Sequence, residues 1–187
     1  MSEPAGKYAR FELERRFLVG LLPDDAGLGD GWRIHDRYIE NTQLRLRRIE
    51  PTGGGEAIFK LGQKHAPSPP DFSRTTITNM YLSGREYDVL AVLPARELRK
   101  IRRLLRDHGR VFSVDAFEGE LAGLVLAEVE LETHAELSEP LDLPSWVIRE
   151  VSDDARFTGG SLAAFDGERA RALVILALHE GGIHGKP

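Results

Sequence analysis

The chain has 187 residues, a mass of 20.9 kDa, no cysteine and a formal charge of −5. Hydrophobic residues make up 41% and charged residues 29%, which suits one compact domain over residues 1–187. The lack of cysteine excludes disulfides, thiolate metal sites and cysteine nucleophiles. No apolar run approaches the ~20 residues that span a bilayer, and no signal peptide is apparent, so a cytoplasmic protein without membrane contact is expected. The negative charge argues against a nucleic-acid partner.

Turn residues divide the first two-thirds of the chain into short runs with period-two alternation, which predicts strands. The predicted strands cover residues 8–20, 32–40, 43–50, 56–64, 73–82, 97–107, 110–118 and 124–133. A capping box of Ser83 and Glu86 predicts a helix that ends at Pro94. Residues 143–150 are predicted as a helical turn, 167–180 as a helix, and 181–187 as a loose tail. Many strands with few helices favour an all-β or α+β barrel.

Several predicted strands carry charges at every second residue. Such side chains share one face of their strand: Glu12, Glu14, Arg16, Arg45, Arg47, Glu128, Glu130 and Glu132. Other strands add the cations Lys60, Lys64, Arg74, Lys100 and Arg102. A solvated face of an antiparallel sheet is one interpretation of this alternation. Stacked like charges of both signs favour another, a barrel interior in which carboxylates hold Mg²⁺ or Mn²⁺ and guanidinium groups hold phosphate.

The order of the motifs resembles that of a known family. Residues 12–19, Glu-Leu-Glu-Arg-Arg-Phe-Leu-Val, resemble the E-x-E-x-K signature that opens the CYTH, or triphosphate tunnel metalloenzyme, superfamily. Residues 37–47 are similar to its Tyr and R-x-R strands, Lys100-Ile-Arg102 to its K-x-R, and 112–132 to its D-x-F…GL…E-x-E segment. Residues 146–163 are similar to the C-terminal pattern of small bacterial members. The resemblance covers about residues 8–165, before a C-terminal helix at about 166–180, and implies an α+β fold with an eight-stranded antiparallel barrel.

The resemblance also implies roles for the charged residues. The expected ligands of Mg²⁺ or Mn²⁺ are Glu12, Glu14, Asp115, Glu128 and Glu130. The expected contacts to phosphate oxygens are Arg45, Arg47, Lys60, Lys64, Arg74, Lys100 and Arg102. The expected catalytic residues are Glu12, Glu14, Arg16 and Tyr38, with the tyrosine at the tunnel mouth. Such a set supplies the positioning and charge neutralisation on which phosphoryl transfer depends.

Two features depart from the family pattern. Arg16 replaces the lysine of E-x-E-x-K, which is associated with the attacking water, and a guanidinium cannot lose its proton at physiological pH. Thr76 and Thr78 stand where many members have the carboxylates of an R-x-E-x-E strand. Each change predicts either altered hydrolysis or binding without turnover.

The function that the resemblance implies is metal-dependent hydrolysis of a triphosphate compound. Inorganic triphosphate is the first candidate because no base-recognition motif is apparent, and nucleoside and thiamine triphosphates are the others. The alternatives are a class IV-type adenylate cyclase, a non-catalytic triphosphate or polyphosphate sensor, and a structural barrel with a charged surface. A monomer or a homodimer is expected.

Overall fold

The computed structural model describes residues 9–20, 29–65 and 73–182. Its strands are β1 (Arg10–Val19), β2 (Trp32–Ile39), β3 (Leu44–Pro51), β4 (Ile58–His65), β5 (Arg74–Leu82), β6 (Ala95–Asp107), β7 (Arg110–Phe117), β8 (Val125–Glu130) and β9 (Val147–Glu150). Its α-helices are α1 (Gly84–Leu90), α2 (Gly159–Ala164) and α3 (Gly167–Gly182). Short 3₁₀ turns occupy Gly119–Leu121, Ala135–Leu137 and Ala155–Phe157. Neither α1, α2 nor α3 has the length and apolar character that crossing a membrane requires.

Strands β1 to β8 form a closed antiparallel barrel. Their order is β5-β4-β3-β2-β6-β7-β8-β1, and β1 closes the barrel by pairing with β5. Each barrel strand corresponds to a predicted strand, so the predicted α+β fold with eight antiparallel strands is confirmed. Residue 8, the predicted start of the first strand, lies outside the described residues.

The prediction of a helical turn at residues 143–150 is wrong at its second half. Val147–Glu150 is strand β9, which pairs antiparallel with the end of β1 and places Glu150 opposite Phe17. The β-branched Val147 and Ile148 suit this extended conformation. Since β1 pairs with β5 up to Leu13 and with β9 from Phe17, a seam between its two partners falls at residues 14–16.

The helices follow the sequence signals in part. The capping box is present, since Ser83 Oγ accepts from the Glu86 amide at 3.3 Å and Glu86 Oε2 accepts from the Ser83 amide at 2.7 Å. Helix α1 ends at Leu90, before the expected stop at Pro94. Helix α3 continues to Gly182, beyond the predicted end at 180, and residues 183–187 of the predicted tail lie outside the described residues. No pattern in the sequence predicted α2.

One apolar core covers the outside of the barrel wall. Phe17, Phe112 and Ala127 are fully buried there, on outward positions of β1, β7 and β8. Trp146 covers this face, with its ring edge-on to Phe112 at a centroid distance of 4.9 Å. Its Nε1 donates to Asp107 Oδ2 at 2.9 Å, so the polar end of the indole is also satisfied.

A second apolar core closes one end of the barrel. Leu98, Phe117 and Leu126 occupy inward positions of β6, β7 and β8, and they pack against Leu162 of α2 and Leu173 of α3. Inward positions further along the same strands are charged. The barrel interior, called the lumen below, therefore has an apolar floor beneath a charged belt.

Candidate active site in the barrel lumen

The charged inward residues surround a cavity of about 110 Å³ above the apolar floor. The predicted site residues that line it are Glu12, Glu14, Arg16, Tyr38, Arg45, Arg47, Lys100, Arg102, Asp115 and Glu128. They come from six of the eight barrel strands, and the two-residue repeat of each strand places them on one side of the wall. The structure thus brings most of the predicted residues together.

The lower part of the lumen contains an acid between two cations. Asp115, 1% exposed, accepts from Lys100 Nζ at 2.5 Å and from Arg102 Nε and Nη2 at 2.7 and 2.6 Å. Burial lowers the pKa of Lys100, although Asp115 opposes the shift. Because both carboxylate oxygens accept strong charge-assisted hydrogen bonds, Asp115 mainly holds Lys100 and Arg102 in place.

A second cluster joins β1, β4 and β8. Arg16 Nε donates to Glu128 Oε1 at 2.9 Å, and Arg16 Nη2 donates to Glu14 Oε1 at 2.7 Å. Lys64 Nζ lies 3.1 Å from Glu14 Oε1 and 3.2 Å from Glu12 Oε2. Burial, reinforced by the charge of Glu128, raises the pKa of Glu14. Despite its own burial, Glu128 has a pKa well below the usual range because Arg102 and Arg16 face it.

Asp36 is a site residue that the sequence interpretation missed. It is 1% exposed and holds Arg47 by two hydrogen bonds, at 2.5 and 2.7 Å. Although burial alone would raise it, the pKa of Asp36 is lowered because Arg47 faces the carboxylate. The signal was present in the alternation of Ile34, Asp36 and Tyr38, which puts an acid among inward positions.

Arg45 has an unsatisfied donor in the lumen. Its Nε is buried and has no hydrogen-bond partner, and the nearest carboxylate oxygen, Asp36 Oδ1, lies 3.8 Å away. A buried donor without an acceptor is costly, so an acceptor from a ligand would stabilise this arrangement. A second cavity, of about 270 Å³, adjoins the first at Arg45, Tyr38 and Gly159.

Tyr38 packs tightly against the start of α2. A Cβ atom on Gly159 would lie 2.2 Å from the Tyr38 hydroxyl oxygen, whereas one on Gly160 would come no closer than 3.9 Å to the same ring. Burial and the charge of Asp36 raise the pKa of Tyr38, so its hydroxyl stays protonated at neutral pH.

Gly159→Ala is expected to lower the free energy of unfolding by about 1–3 kcal/mol, because the added methyl group forces Tyr38 out of place. Gly160→Ala is the matched control and is expected to have a smaller effect, since its methyl group makes only ordinary contacts. Chemical denaturation of both variants measures the difference. Equal losses would contradict the tight contact between Tyr38 and α2.

Three predicted phosphate or metal residues are absent from the described lining of both cavities, whereas Lys64 lines only the second. Lys60 Nζ lies 4.9 Å from the ring centre of the exposed Tyr81. Glu130 is exposed at the end of β8, opposite Glu14 in register. Arg74 pairs with Leu13 through its backbone, and its side chain lies outside the described part of the structure.

The interpretation of Thr76 and Thr78 as replacements for lumen carboxylates is wrong. Glu12 faces Thr75, and Lys64 faces Ile77, across the neighbouring strands. The inward positions of β5 are therefore odd-numbered, and the two even-numbered threonines lie on the outer face. Thr75 itself is buried, with an Oγ1 atom that has no hydrogen-bond partner.

The carboxylates predicted as metal ligands are engaged by side-chain cations. Asp115 holds Lys100 and Arg102, while Glu14 and Glu128 share Arg16. Within residues 9–20, 29–65 and 73–182, no three carboxylate or histidine side chains form a cluster that could hold a metal ion. The oxygen donors have the chemistry that Mg²⁺ and Mn²⁺ prefer, but their present arrangement does not fit a preformed metal site.

Comparison with known proteins gives matches among solved structures. The chain is similar to the inorganic triphosphatase NE1496, with a TM-score of 0.55 and 24% identity over 83% of this chain and 95% of that one. It is also similar to a structure described as the hypothetical protein NE1496, with a TM-score of 0.55 and 25% identity over 82% and 98% of the two chains. No protein-family model and no curated protein matches the sequence. The closed barrel, its charged lumen and these likenesses agree with the motifs, and the chain has the fold of the CYTH, or triphosphate tunnel, superfamily.

Proposed function

We propose that the protein binds a triphosphate compound in the lumen and hydrolyses it, with inorganic triphosphate as the first candidate substrate. The observation that carries the proposal is the buried Nε of Arg45, which has no hydrogen-bond acceptor. Arg45 lies beside other cations in the cavity lining, so an anionic ligand would supply the missing acceptor. Guanidinium groups match phosphate oxygens in geometry and charge. The likeness to an inorganic triphosphatase supports the same substrate class.

The number of cations in the lumen also supports an anionic ligand. The described carboxylates there are Glu12, Glu14, Asp36, Asp115 and Glu128, and the described cations are Arg16, Arg45, Arg47, Lys64, Lys100 and Arg102. The cations exceed the carboxylates by one, and each carboxylate lies within salt-bridge distance of at least one of them. A triphosphate would exchange places with some of these carboxylates as the partner of the guanidinium groups.

The proposed chemistry assigns different tasks to the clusters. Arg45 borders both cavities and Lys64 borders the second one. These two cations would bind phosphate oxygens. Arg102 would neutralise charge on the phosphoryl group in transfer, since it lines the cavity and donates to both Asp115 and Glu128. Glu14, whose pKa burial raises, would accept a proton from the attacking water. Mg²⁺ or Mn²⁺ stays the predicted cofactor.

The test combines two measurements on the same samples. Phosphate release from tripolyphosphate, ATP and thiamine triphosphate is measured with Mg²⁺, with Mn²⁺ and with chelator, beside binding calorimetry for each compound. Release from one of them supports the hydrolase and ranks the substrates. Neither binding nor release from any of them would overturn the proposal.

Arg45→Gln is expected to weaken tripolyphosphate binding about 10- to 100-fold, because it removes a charge-assisted contact of roughly 1.5–3 kcal/mol. Arg48→Gln is the matched control, since Arg48 lies on the outer face of the same strand and pairs with Glu50. Calorimetry on both variants measures the affinities. Unchanged affinity for Arg45→Gln would place the phosphate site elsewhere.

A sensor that binds triphosphate without turnover is the second candidate. The observation that favours it is the pair of hydrogen bonds that fixes Arg16 between Glu14 and Glu128. A guanidinium stays protonated at neutral pH, so Arg16 cannot act as a base towards an attacking water. Tight binding of all three compounds with no phosphate release, and no cyclic AMP from ATP, would favour the sensor.

A further inference from the structure

Arg16 occupies the space between two carboxylates. Its Nε lies 2.9 Å from Glu128 Oε1 and its Nη2 lies 2.7 Å from Glu14 Oε1, so one guanidinium bridges strands β1 and β8. The residue is 6% exposed. Glu14 and Glu128 both lie within hydrogen-bond distance of this one guanidinium, so the two acids are close enough to repel each other. The cation between them offsets that repulsion.

The backbone of Arg16 is fixed from outside the barrel. Its amide donates to Ser152 Oγ at 2.9 Å, and its carbonyl accepts from the Val151 amide at 2.8 Å. Ser152 is 5% exposed and donates in turn to Glu150 Oε1 at 2.6 Å. These bonds take the place of strand pairing at the seam between β5 and β9. Hydrogen bonds therefore hold both the backbone of Arg16 and its guanidinium group, and they keep the guanidinium in the lumen.

A divalent ion would compete with this guanidinium for the same oxygens. To bind Glu14 and Glu128 through the oxygens that face Arg16, the ion must break both charge-assisted hydrogen bonds and then lie beside a buried cation that has lost its partners. Asp115 cannot compensate, because both of its oxygens accept from Lys100 and Arg102. The part of the chain that the structure describes offers no three-membered group of acids and histidines for a metal.

We propose that Arg16 is a built-in cation which takes the place of a divalent metal between Glu14 and Glu128. The protein alone then has no metal affinity at this pair, and a divalent ion enters the lumen only together with a polyphosphate whose oxygens supply most of its ligands. The proposal rests on the proposed function for the identity of that polyphosphate. Its statement about Arg16, however, is tested without any phosphate compound.

The test is a titration of Mn²⁺ followed by electron paramagnetic resonance, which reports free Mn²⁺, in buffer without phosphate. The wild-type protein is expected to show no saturable binding. Arg16→Gln leaves Glu14 and Glu128 without their shared cation and is expected to gain a Mn²⁺ site, with affinity about tenfold or more above wild type, since carboxylate charge sets affinity for hard cations. Arg16→Gln combined with Glu128→Gln is expected to lose that gain.

Arg15→Gln is the matched control. Arg15 is the neighbour of Arg16 on the opposite face of β1, where it pairs with Glu150 by contacts of 2.9 and 2.5 Å. This variant removes the same charge and is expected to gain no Mn²⁺ site. Arg16→Lys keeps a cation in the lumen and is also expected to gain none, so it serves as a second comparison if Arg16→Gln proves unstable in thermal unfolding.

Three results would overturn the proposal. They are saturable Mn²⁺ binding by the wild-type protein without phosphate, equal affinity in Arg16→Gln and Arg15→Gln, and a gain that survives the added Glu128→Gln change. A final titration adds tripolyphosphate to the wild type, and Mn²⁺ binding that appears only then supports entry of both ions together. Failure of the proposed function would instead be absence of tripolyphosphate binding by calorimetry, and it would leave the titrations without phosphate as they stand.

Discussion

Asp115→Asn is expected to lower the free energy of unfolding by about 3–5 kcal/mol, the cost of breaking a buried ion pair by removing one partner. Lys100 would lose its carboxylate while 6% exposed, and Arg102 would keep only Glu128 among the acids that it contacts in the described structure. Denaturant unfolding at pH 7 measures the loss. Asparagine has nearly the same shape as aspartate, so a change in packing contributes little.

The loss should depend on pH in a definite direction. Burial lowers the pKa of Lys100 in the folded protein, and removal of Asp115 takes away the main opposing charge. The unfolded chain then binds more protons than the folded one, so the stability of the variant rises with pH. The difference from wild type should therefore shrink as the pH increases above neutral. Asp142→Asn is the control, since that side chain is 89% exposed, and its unfolding should match wild type. If the free energy of unfolding of Asp115→Asn also equalled that of wild type, the buried cluster would not stabilise the fold.

Glu128→Gln is expected to reduce phosphate release from tripolyphosphate by roughly 100-fold or more, the scale found when one preorganised group that stabilises a transition state is lost. An amide cannot accept from both Arg16 and Arg102 as the carboxylate does at 2.9 and 2.6 Å. Both guanidinium groups would then be free to reorient. The lumen also gains one positive charge, so tripolyphosphate binding should not weaken. Steady-state rates beside calorimetry separate the two effects.

Glu130→Gln is the matched comparison on the same strand. The sequence motif treats Glu128 and Glu130 alike, whereas the structure buries the first among cations and leaves the second exposed at the strand end. Glu130→Gln should therefore reduce the rate less than Glu128→Gln. Full activity in Glu128→Gln, or equal losses in the two variants, would contradict this assignment.

The barrel was predictable because the side-chain pattern of its wall is simple. Charged residues recur at every second position within residues 12–16 of β1, 45–47 of β3 and 128–130 of β8. Apolar residues between them pack on the outside, as Leu13, Phe17 and Val129 do. A two-residue repeat on several strands indicates a sheet with one charged and one apolar face, which restricts the possible fold classes. Strand β9 was not predictable in this way. Its four residues form a strand because β1 offers, beyond Glu14, an edge that β5 does not pair, which is a tertiary cause.

The sequence predicted which residues line the cavity better than it predicted which acid pairs with which cation. Motif positions identified ten of the residues that line the cavity, because the family resemblance assigned roles to nine charged residues and to Tyr38. Which acid holds which cation depends on strand register across the barrel, and that information is not local. Asp36 and Ser152 were missed for this reason, since each acts by bonding to an arginine from another strand. Three statements remain predictions: that the whole chain is a single domain, that the protein is cytoplasmic, and that its cofactor is Mg²⁺ or Mn²⁺.

The paired charges of the lumen also affect how a ligand reaches it. Because the described cations and acids of the lumen nearly cancel, they project only a weak field beyond the Debye length of about 8–10 Å at physiological salt. The chain as a whole carries −5. A free triphosphate therefore approaches against mild repulsion, and its association rate should increase with ionic strength. Proteins that attract nucleic acids through a basic surface show the opposite dependence. Selectivity for a small polyanion would then arise inside the barrel, where ion pairs exchange partners, and not at the outer surface.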